Sequence, residues 1–367
     1  MKRLVIRAPN WLGDVVMALP AMAAVRARFA DAHVAVAAIP SIAPLFEEET
    51  SAAPDSVVTL PDRDGEMAAL RAGGFDAILL FPNSFRSALT ARRAGISERW
   101  GYGAGLRRLL LTRAVARPRG RRHQSDYYCE LVKGLGLPPT TSEPIVNPRP
   151  ATLARADALL ASHGISAPVV SDFSATAPSG LSRTVGFAPG AAYGHAKRWP
   201  PRLVAETIVR LSRDAGVRCV LFGAGGDRES GREIESLLPS DVGIVNLIGR
   251  TDLRLLVGAI SRCGAFVSND SGAMHLAAAL GVPVVAMFGP TDERSTSPLG
   301  ARGRDGTIVT PDVLTHAVFC RPCMLRECPI DHRCMKGITV DAVVTAVTGR
   351  LSTAPASAAG RREEVVT

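Results

Sequence analysis

Four residues able to do chemistry stand together in VSNDSGAMHLAAALGVPVVAMFGPTD (residues 267–292): Asp270, Ser271, Gly272 and His275. An apolar run leads in. A small-residue segment, Ala273 to Leu280, then reads as a helix closed by Gly281. The first N–H groups of a helix have no intrahelical partner and the dipole is positive there, so such a mouth attracts an anion. The plainer alternatives are a core histidine at 275 and a capping aspartate at 270. FAPGAAYGHAKRWPPRLVAE (187–206) repeats the arrangement. A strand is followed by a loop of Gly190, Ala191, Ala192, Tyr193 and Gly194, and then by Lys197 and Arg198 ahead of a Pro-started helix. Small residues let backbone N–H groups approach an anion, and the two cations add charge at the same point. A basic loop without a ligand is the alternative.

In APNWLGDVV (8–16), Gly13 permits a tight turn and Asp14 opens a helix. A carboxylate there could take a proton from an attacking hydroxyl, or serve only as an N-cap. FGAGGDRES (222–230) is a near-miss to a dinucleotide fingerprint, because the third glycine of G-x-G-x-x-G falls on Arg228. It reads as a glycine turn, with Asp227 able to reach a ribose hydroxyl or serving the turn alone. Cys320, Cys323, Cys328 and Cys334 follow C-x2-C-x4-C-x5-C with His332 inside. Four soft ligands at this spacing could hold a structural Zn²⁺, or could be free thiols packed in a loop or a redox-sensitive pair.

The elements that must position these residues alternate. Arg3–Ala8, His33–Ile39 and Phe75–Phe81 read as buried strands, and Asp14–Phe29 as a helix with one apolar stripe. From Thr184 the pattern restarts: strands at TVGFAPG, VRCVLFG, IVNLIG and AFVSND, and helices over Pro201–Ala215, Asp227–Leu238, Leu253–Ser261 and Val340–Leu351. Alternation at these lengths implies βαβ units and parallel sheets. The expected organisation is an α/β chain with one domain over 1–165, a Ser/Ala/Pro-rich linker or loop over 166–184, a second domain over 185–351 and a disordered tail over 352–367. Ligands of such sheets sit at the carboxyl ends of the strands, where every candidate above lies.

Net charge is +9, and its location matters: Arg86 to Arg122 holds eleven arginines and one acid, Glu98, so this segment alone carries +10. It could be a solvated basic face or meet an acidic ligand, an anionic membrane or nucleic acid. Aromatics are 5% of the chain, thin for stacking on single strands, and no zinc-finger or RNA-recognition signature appears, so nucleic acid is disfavoured. The failed fingerprint disfavours a dehydrogenase. No apolar run of about 18 residues suggests a transmembrane helix, and the basic start MKRLVIRAPN lacks the apolar core of a signal peptide. A cytoplasmic protein is expected, peripheral to the inner membrane if its substrate lies there.

The pieces PNWLGDVVMALPA, PGAAYGHAKRWP, NDSGAMHLAAALGVPVVAMFGPT and CRPCMLRECPIDHRCM, in this order, resemble glycosyltransferase family 9, and within it the lipopolysaccharide heptosyltransferase II group. The resemblance implies the GT-B fold, two Rossmann-like parallel-sheet domains facing a central cleft. It implies an inverting, metal-independent transfer of L-glycero-D-manno-heptose from ADP-heptose to the heptosyl-Kdo2-lipid A inner core. No cofactor is required beyond the donor substrate. By the same resemblance Asp14 is the base and Lys197 neutralises the diphosphate. The donor contacts are expected at Gly13, Gly190, Ala191, Ala192, Tyr193, Lys197, Arg198, Asp227, Thr251, Asp270, Ser271, Gly272 and His275. Acceptor contacts are expected at Asn10, Trp11, Arg86, Arg119, Arg121 and Arg122, where phosphates and Kdo carboxylates would explain the arginines. The family often has a hydroxyl residue near Ala192 and Tyr193; here phosphate contact would fall to backbone N–H groups. Heptosyltransferase I or another family 9 sugar transferase is the neighbouring reading, and a non-catalytic nucleotide-sugar-binding protein the reading of a different class.

Overall fold

The computed structural model describes residues 1–139, 141–165, 183–303 and 306–352. Most of the expected linker and all of the expected tail beyond Ser352 lie outside the described residues. The first half runs β1 (Arg3–Arg7), α1 (Leu12–Arg28), β2 (His33–Ala38), β3 (Glu49–Thr50), β4 (Ser56–Thr59), α2 (Arg63–Ala72), β5 (Ala77–Leu80), α3 (Phe85–Arg93), β6 (Glu98–Gly103), β7 (Arg113–Ala116), α4 (Gln124–Gly134), β8 (Val146–Asn147) and α5 (Pro150–Ser162). The second runs β9 (Thr184–Ala188), α6 (Pro201–Ala215), β10 (Arg218–Leu221), α7 (Arg228–Ser236), β11 (Ile244–Asn246), α8 (Leu253–Ser261), β12 (Ala265–Asn269), α9 (Gly272–Ala279), β13 (Val284–Phe288), α10 (Glu293–Thr296), β14 (Ala301–Arg302), β15 (Ile308–Val309), β16 (Asp312–Thr315), α11 (Arg333–Lys336) and α12 (Val340–Ser352).

Each half is built on a six-stranded sheet, ordered β4-β2-β1-β5-β6-β7 and β11-β10-β9-β12-β13-β16. All pairings within these two sheets are parallel. Helices cover both faces, which is why the central strands are runs of Val, Ile, Leu and Ala buried along nearly their whole length. α6 starts on Pro201 and stops at Gly216 in the left-handed region (φ +59°), as the Pro-start and Gly-stop preferences require.

Two features of this frame position the site. First, strand order reverses at β1/β5 in one sheet and at β9/β12 in the other. The loops after β1, β9 and β12 therefore open into the crevices where doubly wound sheets bind ligands. Second, the halves meet most extensively at two places. At the front, α1 packs on α9; at the rear, α5 packs on α8. One apolar cluster runs through both contacts and includes Val15, Leu19, Ala156, Leu160, Val257, Met274 and Leu276. The rear contact is also polar. Glu48, buried, accepts from Arg149 N (2.6 Å), Thr152 Oγ1 (2.6 Å) and Arg254 Nε (2.7 Å), and Arg262 grips Asp157 with two bonds.

Candidate active site

α1 and α9 meet end to end through two glycines. A Cβ on Gly272 would lie 3.0 Å from Leu12 Cβ and 3.3 Å from the Gly13 nitrogen. A Cβ on Gly13 would lie 2.9 Å from His275 Cδ2. Only glycine on both sides lets the two helix mouths come this close.

Asp14 is the third residue of α1, whose N-cap is Trp11, so it is not a cap. Its carboxylate is mostly buried and accepts a 2.9 Å hydrogen bond from Tyr128 Oη on α4. Burial pushes its pKa above the ordinary carboxylate value; the Tyr128 bond opposes this, the Asp270 carboxylate adds to the rise, and Lys197 lowers it. A carboxyl group raised in this way is better matched to proton transfer near neutral pH. Tyr128 is held edge-on against Phe81, and Tyr127 packs beside it.

Across the seam, Lys197 Nζ bonds Asp270 Oδ2 at 2.6 Å, both largely buried. Lys197 also lies 4.9 Å from the ring centre of Tyr193, whose other cationic neighbour is Arg326. Ser271 is the N-cap of α9 but gives it no side-chain bond; its hydroxyl meets Ser268 instead. The first N–H groups of α9 thus have no side-chain cap, and the cationic Lys197 stands nearby, an arrangement that favours a bound anion. Burial pushes the His275 pKa down to about 4, so the imidazole in α9 is neutral. Arg198 pairs with Asp227 at 3.2 Å, while its Nε is buried without a partner. Asp227 also accepts from Ala224 N and lies against Gly190. Ala191 is buried, Ala192 and Tyr193 exposed, and Thr251 half-buried just before α8.

Two groups that the sequence did not single out hold the site together. One is Tyr128. The other is Asn269, fully buried, which donates to Pro189 O (2.7 Å) and accepts from Trp199 N (3.2 Å), tying the loop after β9 to the end of β12. The adjacent tyrosines of SDYYCE and the Asn of SND were visible as residues, but nothing local announced the elements they would meet.

The expected acceptor residues divide. Trp11 is 65% exposed beside Asp14. Asn10 is exposed and accepts from Arg7, which is itself buried against Glu66; Arg86 meets the same carboxylate. Arg121 reaches Asp292 in the second half at 3.6 Å, and Arg119 is exposed. Arg122 is half-buried and donates to Arg119 O. Not all of the arginine-rich segment is surface charge. Arg99 caps the carbonyls of Ile96, Ser97 and Leu110, Arg107 is buried, and Arg113 stacks on Trp100.

The four clustered cysteines lie near one another: Cys320, Cys323 and Cys328 each help to raise the Cys334 pKa, after burial. Cys320, Cys323, Cys328 and Cys334 are free thiols, and among the described residues no group of three or more His, Cys, Asp or Glu side chains converges as ligands. Cys334 turns into the core against Gly289, and Cys328 accepts from the His332 backbone. The loop packs instead on the strand 9 loop: Ala196 N bonds Arg326 O at 2.9 Å and Tyr193 Oη bonds Met324 O at 3.1 Å.

Comparison with known proteins accords with this arrangement. The profile of glycosyltransferase family 9 (heptosyltransferase) matches residues 67–312. The chain is 34% identical to lipopolysaccharide heptosyltransferase 2 of Salmonella typhimurium, over 84% of this chain and 89% of that one. It superposes on the structure of Escherichia coli ADP-heptose LPS heptosyltransferase II with a TM-score of 0.75 and 28% identity, covering 96% and 98% of the two chains. A family 9 glycosyltransferase from Veillonella parvula, 22% identical, shares the fold at a TM-score of 0.76, covering 95% and 97%. Two parallel sheets around a common cleft are the GT-B fold expected above, and the chain belongs to glycosyltransferase family 9, the heptosyltransferase family.

Proposed function

We propose that the chain transfers L-glycero-D-manno-heptose from ADP-heptose to the heptosyl-Kdo2-lipid A inner core at the membrane face, with inversion at the anomeric carbon. The observation that carries this reading is the seam. A half-buried carboxylate with a raised pKa stands on one side of it, and a helix mouth with a fixed lysine on the other. Direct displacement needs both. Asp14 takes the proton of the acceptor hydroxyl as its oxygen bonds the anomeric carbon. The bond from that carbon to the diphosphate breaks on the opposite face. Lys197, held in place by Asp270, and the N–H groups of α9 stabilise the charge that develops on the departing diphosphate. Arg198 and Asp227 lie farther along the strand edge, where the nucleoside end of the donor would extend. Acceptor phosphates and carboxylates would meet Arg119, Arg121 and Arg122.

The test is ADP release from ADP-heptose by wild type and Asp14→Asn, with and without heptosyl-Kdo2-lipid A. Acceptor-dependent release that Asp14→Asn reduces about 10²–10⁴-fold, with donor binding retained, supports the reading. Release that depends on Kdo2-lipid A instead makes the chain a heptosyltransferase I. Tight ADP binding without turnover on either acceptor makes it a binding protein.

A further inference from the structure

The arginine-rich segment contains an inversion that the transfer chemistry does not use. The 3-10 turn Gly105–Leu110 reads GLRRLL. Side chains three apart eclipse in such a turn, so residues 106 and 109 share one edge and 107 and 110 another. Arg107 and Leu110 point in. Arg107 is pinned by bonds to Tyr102 O (3.0 Å) and Ser87 Oγ (2.9 Å). Leu106 and Leu109 point out, 72% and 77% exposed, the latter next to the exposed Arg108. A buried arginine beneath two eclipsed surface leucines reverses the usual partition of a soluble surface.

The turn follows β6 at the carboxyl edge of the first sheet. Strand order β1-β5-β6-β7 places the loops along this edge in one row. Trp11 comes after β1, Phe85 after β5, Leu106 and Leu109 after β6, and Arg119 after β7. The row therefore runs outward from Asp14, and its large apolar members are all exposed. Arg108 and Arg119 have no acidic partner among the described residues.

We propose that Leu106 and Leu109, flanked by Arg108 and Arg119, dock the chain on an anionic lipid bilayer. The inference rests on the reading of the acceptor as lipid-anchored, and it assigns the surface that brings Asp14 to it. Leucines enter the interface while arginines meet headgroup phosphates. A second copy of this chain is the poorer occupant. A two-fold contact would set the same patch against itself, and with it the exposed Arg108 and Arg119. No helix is long and apolar enough to cross a membrane, among the described residues.

The experiment is co-sedimentation of the full chain with vesicles of phosphatidylcholine alone and of equal parts phosphatidylcholine and phosphatidylglycerol. The variants are Leu106→Ser with Leu109→Ser, and Arg108→Gln. The wild type is expected to bind the anionic vesicles and to be released by salt. The double variant should bind at least about tenfold more weakly, from the lost apolar burial, and Arg108→Gln should weaken binding less. Turnover of a water-soluble, deacylated acceptor should be unchanged in all three. Unchanged vesicle binding by the double variant overturns the proposal. So does a change from dimer to monomer in light scattering, which would make the patch a contact between copies. If wild type turns over no acceptor but its vesicle binding still depends on the leucines, the proposed reaction fails and the docking surface stands.

Discussion

Gly272→Ala tests whether the seam sets the reacting geometry. The added Cβ would sit 3.0 Å from Leu12 Cβ and 3.3 Å from the Gly13 nitrogen. Ordinary carbon contacts are about 3.5–4.0 Å, so the halves must part by roughly 0.5–1 Å at this point. Neither obstacle is the tip of a flexible side chain, and rotation cannot relieve the contact. Misplacement of about 1 Å costs on the order of 10² in rate; kcat/KM is therefore expected to fall about ten- to a hundredfold. Stability should move little. Alanine favours a helix over glycine by about 1 kcal/mol, which offsets much of an overpacking cost of about 1–3 kcal/mol. Because Lys197 and the α9 mouth both belong to the second half, ADP affinity should survive and the loss should fall on kcat. The assays are ADP release, ADP titration and thermal unfolding. Wild-type kcat/KM at an unchanged Tm would refute the reasoning, since the helix mouths would then be free to separate without consequence.

Tyr128→Phe keeps the ring against Phe81 but removes the bond that holds the Asp14 pKa down. The acidic limb of the kcat/KM profile should move to higher pH while the plateau survives; an unmoved limb would make Tyr128 mere packing. His275 has a folded pKa of about 4 against an ordinary 6.5. Between those values the unfolded chain binds a proton that the folded chain does not. Its contribution is therefore full above the ordinary value and is lost as pH falls toward the folded one, at up to about 1.4 kcal/mol per pH unit. His275→Gln should flatten that part of the stability curve, and equal slopes for the two proteins would count against a neutral buried imidazole. Gly258→Ala, whose Cβ would meet Ala156 Cβ and Thr152 O at 2.8 Å, should cost about 1–3 kcal/mol of stability. A selective loss of kcat without a drop in Tm would contradict a structural role at the rear contact.

The sheets were legible because parallel strands covered on both faces leave unbroken apolar runs, as at β1, β2, β9, β12 and β13. α6 and α8 appear with the bounds expected, Pro201–Ala215 and Leu253–Ser261. Residues 82–165 were harder. α3 carries three arginines and β6 is broken by two glycines, which masked their periods, and only packing shows that Arg99, Arg107 and Arg113 serve the fold. The sixth strand of the second sheet, β16, is three half-buried residues and one exposed, without a strong apolar run. At the site, the helix mouth and lysine loop could be read locally, since each lies within one βα connection. Tyr128, 114 residues from Asp14, could not: a long-range hydrogen bond leaves no spacing to recognise. The cysteine spacing left a metal and free thiols open, and what it could not show is that Cys334 is buried.

The two contacts between the halves are made of different material. At the rear, parting would take Arg254 from the buried Glu48, whose other two donors lie in its own half, and Arg262 from Asp157, a loss worth several kcal/mol. At the front, the two glycines touch with no polar bond between them, within an apolar contact that includes Val15, Leu19, Met274 and Leu276; His123 bonds Ser297 O and Arg121 nears Asp292 between the same halves. A molecule so built resembles a clothes peg, clasped by ions behind and by apolar fit in front, and the register of its jaws is set by the absence of two side chains.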